Sequence, residues 1–538
     1  MMITSRRALV RGALAVSCVC ATAGCTSTPQ ATDGGYVCPP CGCALDGHEF
    51  AAPGRCPACG MALVPKDGSA HRFSVSVLRA DFSALYEGLR HAHFNLYAHT
   101  PRTEMDLAFR RMLASLNRPL TSFEASAHFQ RFTAKGRVAH ARVDFLHEAF
   151  GAFRAGGGKA FPLTVRIDAG RLRVAQNLSG LAMIESGDVI ETIDGDATGD
   201  LLRRLGRNIS ADNDYLAGAL IEPQFGALLW LERGEADTFR LRVRKSNGRS
   251  ERAIIRALTR TEMRTNAAAG PDTLQIDPGE RVAHMAPEGV AYLRPGVFLN
   301  LAENGDPYDA RAFHTFIDDA FAQFMAAGAT RLLIDLRDNP GGDNSFSDYM
   351  VAWFATRPFR FCSQFRVRVS LQAIAANAAR LATEPPNGLS HRFAQAYAGA
   401  ASGDVIHFDV PETPPRDGAR FAGRVGVLVN RRSYSNSVAI AALVQDYGFG
   451  TILGEPTADL ATTYGSMERF ILPGTGIAVG FPKAHIIRPN GDERVRGVTP
   501  DIAIRTPIVE TASDTVLRAT LAALPPRAPP AADRPTDR

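Results

Sequence analysis

Past residue 59 this 538-residue sequence holds a single cysteine, Cys362, although the chain has nine in all. A disulfide framework for the whole protein is thereby excluded. Nor does any later segment approach the ~18 unbroken apolar residues that a membrane-spanning helix needs, so none is expected. Charge of one sign is scarce as well. A net charge of +5 spread over this length, without a basic cluster, excludes nucleic acid as an expected partner. Hydrophobic content at 45% and charged residues at 21% are ordinary for a globular protein. A chain this long divides into three or four domains rather than one core.

What is present begins with an export signal over residues 1–25. Arg6, Arg7 and Arg11 precede small and apolar residues from Gly12 to Gly24, too few to span a bilayer. Ala21-Thr22-Ala23 would suit an ordinary cleavage site. Thr22-Ala23-Gly24-Cys25 resembles a bacterial lipobox with Thr where Leu is usual, and this is the favoured ending, because the small residues and the polar stretch behind them place Cys25 for lipidation. The expectation is an exported, periplasmic lipoprotein held to the membrane by a lipid on Cys25.

After a polar linker, residues 26–35, a module over residues 36–66 is too short to fold on a hydrophobic core of its own. Cys38-x-x-Cys41 and Cys56-x-x-Cys59 stand 14 residues apart, a spacing at which four thiolates can close one tetrahedral site. Four sulfurs favour Zn²⁺. Cys43, His48 and Met61 supply the extra donors that would suit Cu(I). Two disulfides are the alternative in an oxidising exterior. The segments YVCPP and PGRCPACGMALVP resemble a heavy-metal-binding domain, with Pro40-Cys41 where Met-His is usual, and imply a zinc-ribbon-like fold.

Residues 73–155 carry Leu85, Leu89, Leu107, Met112 and Leu113 among charged neighbours with few turn signals, which predicts an α-helical cap. Residues 161–260 alternate apolar and polar in short runs and read as small β structure, with a turn at Ser246-Asn247-Gly248. Ser186-Gly187-Asp188-Val189-Ile190 leading to Ile193-Asp194-Gly195 resembles a PDZ domain, a fold that binds peptides by strand addition. In residues 275–508, Phe313, Phe316, Ile317, Ala320, Phe321 and Phe324 recur at helical spacing before the apolar run Arg331 to Leu336. The same order returns in Val425 to Val429, Ser437 to Tyr447 and Thr451 to Leu453. Strand, crossover helix and strand predict an α/β core with largely parallel strands. A C-terminal helix and a Pro-rich disordered tail complete the chain over residues 509–538.

Two places in that core invite chemistry. Ser435 falls between a buried strand and a helix start, where unpaired N–H groups favour developing negative charge. Ser433, Ser435 or Ser437 could equally be no more than a helix cap, and Gly341-Gly342 no more than a turn.

A family resemblance spanning residues 73–506 decides between these. LLIDLRDNPGGD resembles the oxyanion-loop segment of tail-specific (C-terminal processing) and tricorn-core serine proteases. GRVGVLVNRRSYSNSVAIAALVQDYGFGTILGEPTAD resembles their nucleophile segment, HFNLY their helical cap, and GVTPDI their closing motif. The resemblance implies Ser435 as nucleophile and the amides of Gly342 and Asn436 as oxyanion donors. The better-known branch has a general-base Lys 25 positions after the nucleophile, where this chain has Leu460. The tricorn-like branch takes a His from the end of the cap, and Val138-Ala139-His140-Ala141 stands at that place without the usual Asp-Gly and Thr around it. His140 is thus the implied base and His147 the fallback, with an imidazole pKa near ~6.5 as the starting expectation. Glu493 is the implied acidic support and Asp492 its alternative. The resulting expectation is a serine endopeptidase that cleaves exported or unfolded polypeptides through an acyl-enzyme, with no cofactor in catalysis. The alternative is a catalytically inactive, surface-anchored metal- or peptide-binding protein.

Overall fold

The computed structural model describes residues 71–302, 305–381 and 388–524, together with 36–37, 45, 48–52, 54, 57 and 63–65. The chain divides into two compact units, Met1–His71 and Arg72–Arg538. In the first, three two-residue strands pair antiparallel, with Tyr36–Val37 between Glu49–Phe50 and Val64–Pro65. His48 meets Phe50 edge to face, ring centroids 4.9 Å apart. Cys25, Cys38, Cys41, Cys43, Cys56, Cys59 and Met61 lie outside the described residues.

The second unit opens with three helices, Val75–Ala92, Arg102–Ser115 and Ser122–Thr133. Ser74 caps the first, and Thr121 with Glu124 forms a reciprocal capping box on the third. Leu78, Phe82, Leu85 and Leu89 line one face of the first helix and meet Phe129 and Phe132 of the third. The same core includes Leu472, Val479 and Phe481 from a long hairpin, Thr463–Ile471 with Ala478–Ile487. Asp81, buried in the first helix, accepts the amides of Gly474 at 3.0 Å and Thr475 at 2.6 Å in the hairpin turn. The cap therefore shares its core with the body of the molecule rather than standing apart from it.

Next comes a sheet in the order Ser250–Arg256, Thr238–Arg244, Val189–Ile193, Arg171–Asn177, Leu163–Asp168. Strict alternation in Thr238–Arg244 buries Phe239, Leu241 and Val243 and exposes the residues between. Two helices, Thr198–Gly206 and Asp214–Arg233, complete this domain. The longer one runs beside the edge strand Leu163–Asp168. Its Glu222 accepts the Ile167 N–H at 2.7 Å, and Arg431 donates to the Ile167 carbonyl at 3.0 Å. The expected strand addition at a PDZ-like edge therefore meets side chains already bonded to both polar groups of Ile167.

The core sheet runs Val282–Met285, Ala291–Arg294, Arg331–Asp335, Arg424–Val429, Thr451–Gly454, Ile502–Ala503; its first pair is antiparallel and the rest parallel. Alternate residues serve two cores. Leu332, Ile334, Val427 and Ile452 pack against helices Arg311–Ala326, Asn344–Ala352 and Asn436–Tyr447. Leu333, Leu428 and Leu453 face the C-terminal helix Thr515–Ala523. A second sheet, in which Gln364–Arg368 pairs with Ala478–Ile487, carries the helices Leu371–Leu381 and Leu389–Ala398. This topology brings the loops after Asp335 and Val429, at the C-terminal ends of two adjacent parallel strands, side by side, where open α/β sheets build their sites.

Candidate active site

Ser435 occupies the residue before helix Asn436–Tyr447 with φ 53° and ψ −120°, a conformation that glycine tolerates and serine adopts at a cost of about 1–3 kcal/mol. Its hydroxyl makes no capping bond to the helix. The neighbouring serines differ in kind. Buried Ser433 donates to the Leu336 carbonyl at 2.7 Å and accepts the Asn430 N–H at 3.0 Å, so it ties the turn together. Ser437 is wholly enclosed in the helix. Of the three, only Ser435 is part-exposed on a strained turn with a free hydroxyl.

The loop after Arg331–Asp335 lies flush against that turn. A Cβ on Gly341 would stand 2.7 Å from both the Asn436 nitrogen and the Tyr434 oxygen, and one on Gly342 would stand 2.3 Å from the Phe298 oxygen. Both positions need glycine for contact, and their φ of 90° and 137° require it again. Phe298 donates to the Gly341 carbonyl at 3.0 Å and accepts from Asp343 N–H at 2.8 Å, which turns the intervening Gly342 N–H to the other side. The amides of Gly342 and Asn436 have no acceptor among the described residues. Side chains and backbone clamp the two loops together: Tyr434 N–H donates to Asn339 O at 3.0 Å, and Asp338 accepts from Asn430 at 2.7 Å and from Arg432 at 2.6 Å.

His140 sits in the turn Val138–Ala141, which Arg142 anchors to Gly480 by two backbone bonds of 3.1 and 2.8 Å. The ring stacks on Tyr434, the residue before Ser435, with centroids 5.2 Å apart. The main chain of Tyr464 bonds one ring nitrogen, and Nδ1 is buried without a partner. Loss of hydration, helped by the Arg142 charge, lowers the imidazole to about 4, against opposing pulls from Asp212 and the Tyr464 bond. The ring is thus neutral near pH 7. His147 is exposed on helix Leu146–Ala155.

The remaining expected residues fall elsewhere. Glu493 is half-exposed and stands 3.9 Å from Arg366; Asp492 is committed to Arg494 and Arg496. The carboxylate beside the His140 turn is instead Asp212, from the loop before helix Asp214–Arg233. Its Oδ2 accepts the Ala139 N–H at 3.0 Å. Leu460 is buried, and the buried Lys483 pairs with Glu468 at 2.7 Å. A second carboxylate that sequence reasoning missed is Asp459. Fully buried, it accepts the Ser435 N–H at 2.6 Å through Oδ2 while Oδ1 has no partner, and burial raises it to about 7. Its only signal in the sequence is its place directly before Leu460. Among the described residues no group of three or more His, Cys, Asp or Glu side chains could hold a metal ion.

A family model described as Peptidase family S41 matches residues 307–504, and one described as Heavy metal binding domain matches residues 36–66. Mature CPAF solved with lactacystin is similar over 83% of this chain and 97% of its own, at 15% identity and a TM-score of 0.57. Mature CPAF without it gives 83%, 96%, 15% and 0.56. The photosystem II D1 C-terminal processing protease aligns over 83% of this chain and 97% of its own, at 16% identity and a TM-score of 0.41. No curated protein sequence matches the chain. At these identities the structural likeness is one of fold. Over residues 307–504 the chain is therefore similar to the serine peptidases of peptidase family S41, the family of the tail-specific proteases, and over residues 36–66 to heavy metal binding domains.

Proposed function

We propose that this protein is an endopeptidase for exported or unfolded polypeptides, with Ser435 as nucleophile, His140 as general base, and the amides of Gly342 and Asn436 as oxyanion donors. The observation that carries this reading is the free Ser435 hydroxyl on a strained turn, packed against a double-glycine loop with unpaired amides beside it. His140 Nδ1 takes the hydroxyl proton as Oγ attacks the scissile carbonyl. The two amides receive the oxyanion, already oriented by the turns that carry them. The imidazolium then protonates the departing amine, leaving an acyl-enzyme that water hydrolyses by the reverse proton path. Glu493, the acidic support that the family resemblance implies, stands 3.9 Å from Arg366.

The N-terminal module is proposed to bind one Zn²⁺ through Cys38, Cys41, Cys56 and Cys59, whose two C-x-x-C pairs fit a closed tetrahedral thiolate site. Export to the periplasm and anchoring through Cys25 belong to the same proposal and rest on the N-terminal sequence.

A fluorophosphonate reagent tests the catalytic reading. It should label the wild-type protein and the Ser433→Ala and Ser437→Ala variants, and it should fail on a folded Ser435→Ala. Labelling that survives Ser435→Ala and vanishes with another serine would place the nucleophile elsewhere. No labelling of wild type would favour the inactive binder.

A further inference from the structure

We infer that Asp212 is the positioning residue for His140, holding its turn through the Ala139 amide and placing a carboxylate beside the imidazole. This role rests on the Ser435–His140 reading. Among the described residues, the buried polar atoms without a hydrogen-bond partner include Nε2 of His93 and His99, Nδ1 of His140, Oγ of Ser437, and Oδ1 of Asp212 and Asp459. Buried groups left this way need an explanation in function. Asp212 Oδ1 stands 3.3 Å from His99 Nε2 but is misaligned for a hydrogen bond, so the carboxylate keeps an open acceptor.

The electrostatics of proton transfer require such a group. Once His140 takes the Ser435 proton, it becomes a cation in a site almost closed to water, with the Arg142 guanidinium opposing it. Around the ring stand Arg142, Tyr434, Tyr464 and Asp212, with Asp459 and His99 behind them. Among the charges acting on the ring, Asp212 is the one that favours the protonated form. Asp459 is held to the Ser435 amide on the other side of the turn. The carboxylate is also well placed mechanically. It comes from the β domain, and the small apolar cluster of Ala139, Ala211, Leu216, Ala219 and Ala458, with Tyr434 packed on it, joins that domain to both catalytic turns.

The test is Asp212→Asn in the full chain. The amide oxygen can still accept from Ala139 N–H, so the fold is kept while the charge is lost. Turnover should fall about 10- to 100-fold, the scale of one charge acting on another at an effective dielectric near 20, with KM little changed. The acid limb of kcat/KM should move to lower pH, which a purely structural role would not produce. An Asp212→Asn enzyme with wild-type turnover and an unmoved acid limb overturns the inference, and does so decisively if Glu493→Gln shows the loss instead. Should Asp212→Asn fail to fold, Asp212→Glu decides, because it keeps the charge and must keep the acid limb in place. An active His140→Ala enzyme would overturn the underlying reading, and is distinguishable because it removes the base itself.

Discussion

At the scale of single residues, the site combines groups whose protonation is pushed in opposite directions by burial. His140 stays neutral down to about 4 and His93 to about 3, whereas the unfolded chain protonates its imidazoles near ~6.5. Unfolding therefore takes up protons between those values, and stability falls as pH drops through that window. The catalytic consequence is an acid limb of kcat/KM nearer pH 4 than the ~6.5 of a free imidazole, which a pH–rate profile of a peptide substrate would show. Asp459 has the reverse sign. Its folded value of about 7 stands above the ~3.9 of an unfolded Asp, so the stability it contributes is full in acid and is lost as pH rises through 7. Asp459→Asn can still accept the Ser435 N–H and carries no buried charge, so it should raise Tm more at pH 8 than at pH 4, by up to about 4 kcal/mol of relative stability. Equal shifts at both pH values would show that the carboxyl titrates normally. Ser435 and Gly342 were singled out by the family resemblance of their segments, because a serine at a strand-to-helix turn and a pair of glycines after a strand, taken alone, fit a cap and a turn as well. Asp212 and Asp459 were not, because a carboxylate that works by accepting one amide leaves no pattern beyond the turn in which it sits.

Among elements, the least legible was the helix Asp214–Arg233, whose run is interrupted by Gly218, Pro223 and Gly226, all signals of a break. Tertiary packing overrides them: Leu216, Ile221, Phe225, Leu228 and Leu229 are buried, and the helix runs beside an edge strand that would otherwise expose unpaired polar groups. The Arg311–Ala326 helix and the parallel strands, by contrast, follow directly from periodicity and length, because nothing in their sequence competes with it. The edge contact also reaches the turn before Ser435. Glu222 bonds Ile167 N–H and, at 2.9 Å, Arg431, which is four residues before Ser435 and is held again by Glu455. Glu222→Ala should leave the Ile167 amide unpaired and Arg431 short of one partner, at a cost of about 2–4 kcal/mol. The expected result is a lower Tm together with faster hydrogen exchange at Ile167; an unchanged exchange rate would mean that the helix does not hold this edge.

For the whole molecule, the two units draw their stability from different sources, and this separates their responses to metal. The unit Arg72–Arg538 has extensive aromatic and aliphatic cores shared among cap, β domain and sheet. The stretch 36–66, whose described residues include three paired strands of two residues each, is too short to fold on a hydrophobic core of its own, so a metal held by its cysteines would supply the missing folding energy. Serine–histidine acyl transfer requires no metal of its own. Removing metal should therefore act on one unit and spare the chemistry of the other. The purified protein is expected to carry about one Zn²⁺ per chain by elemental analysis, and to lose it in a Cys56→Ser, Cys59→Ser double variant. Ser435 labelling by a fluorophosphonate should persist in that variant and after chelation. Metal-free protein with all four cysteines oxidised would establish two disulfides in place of the metal site. Labelling that disappears with the metal would show that the N-terminal unit controls the active site.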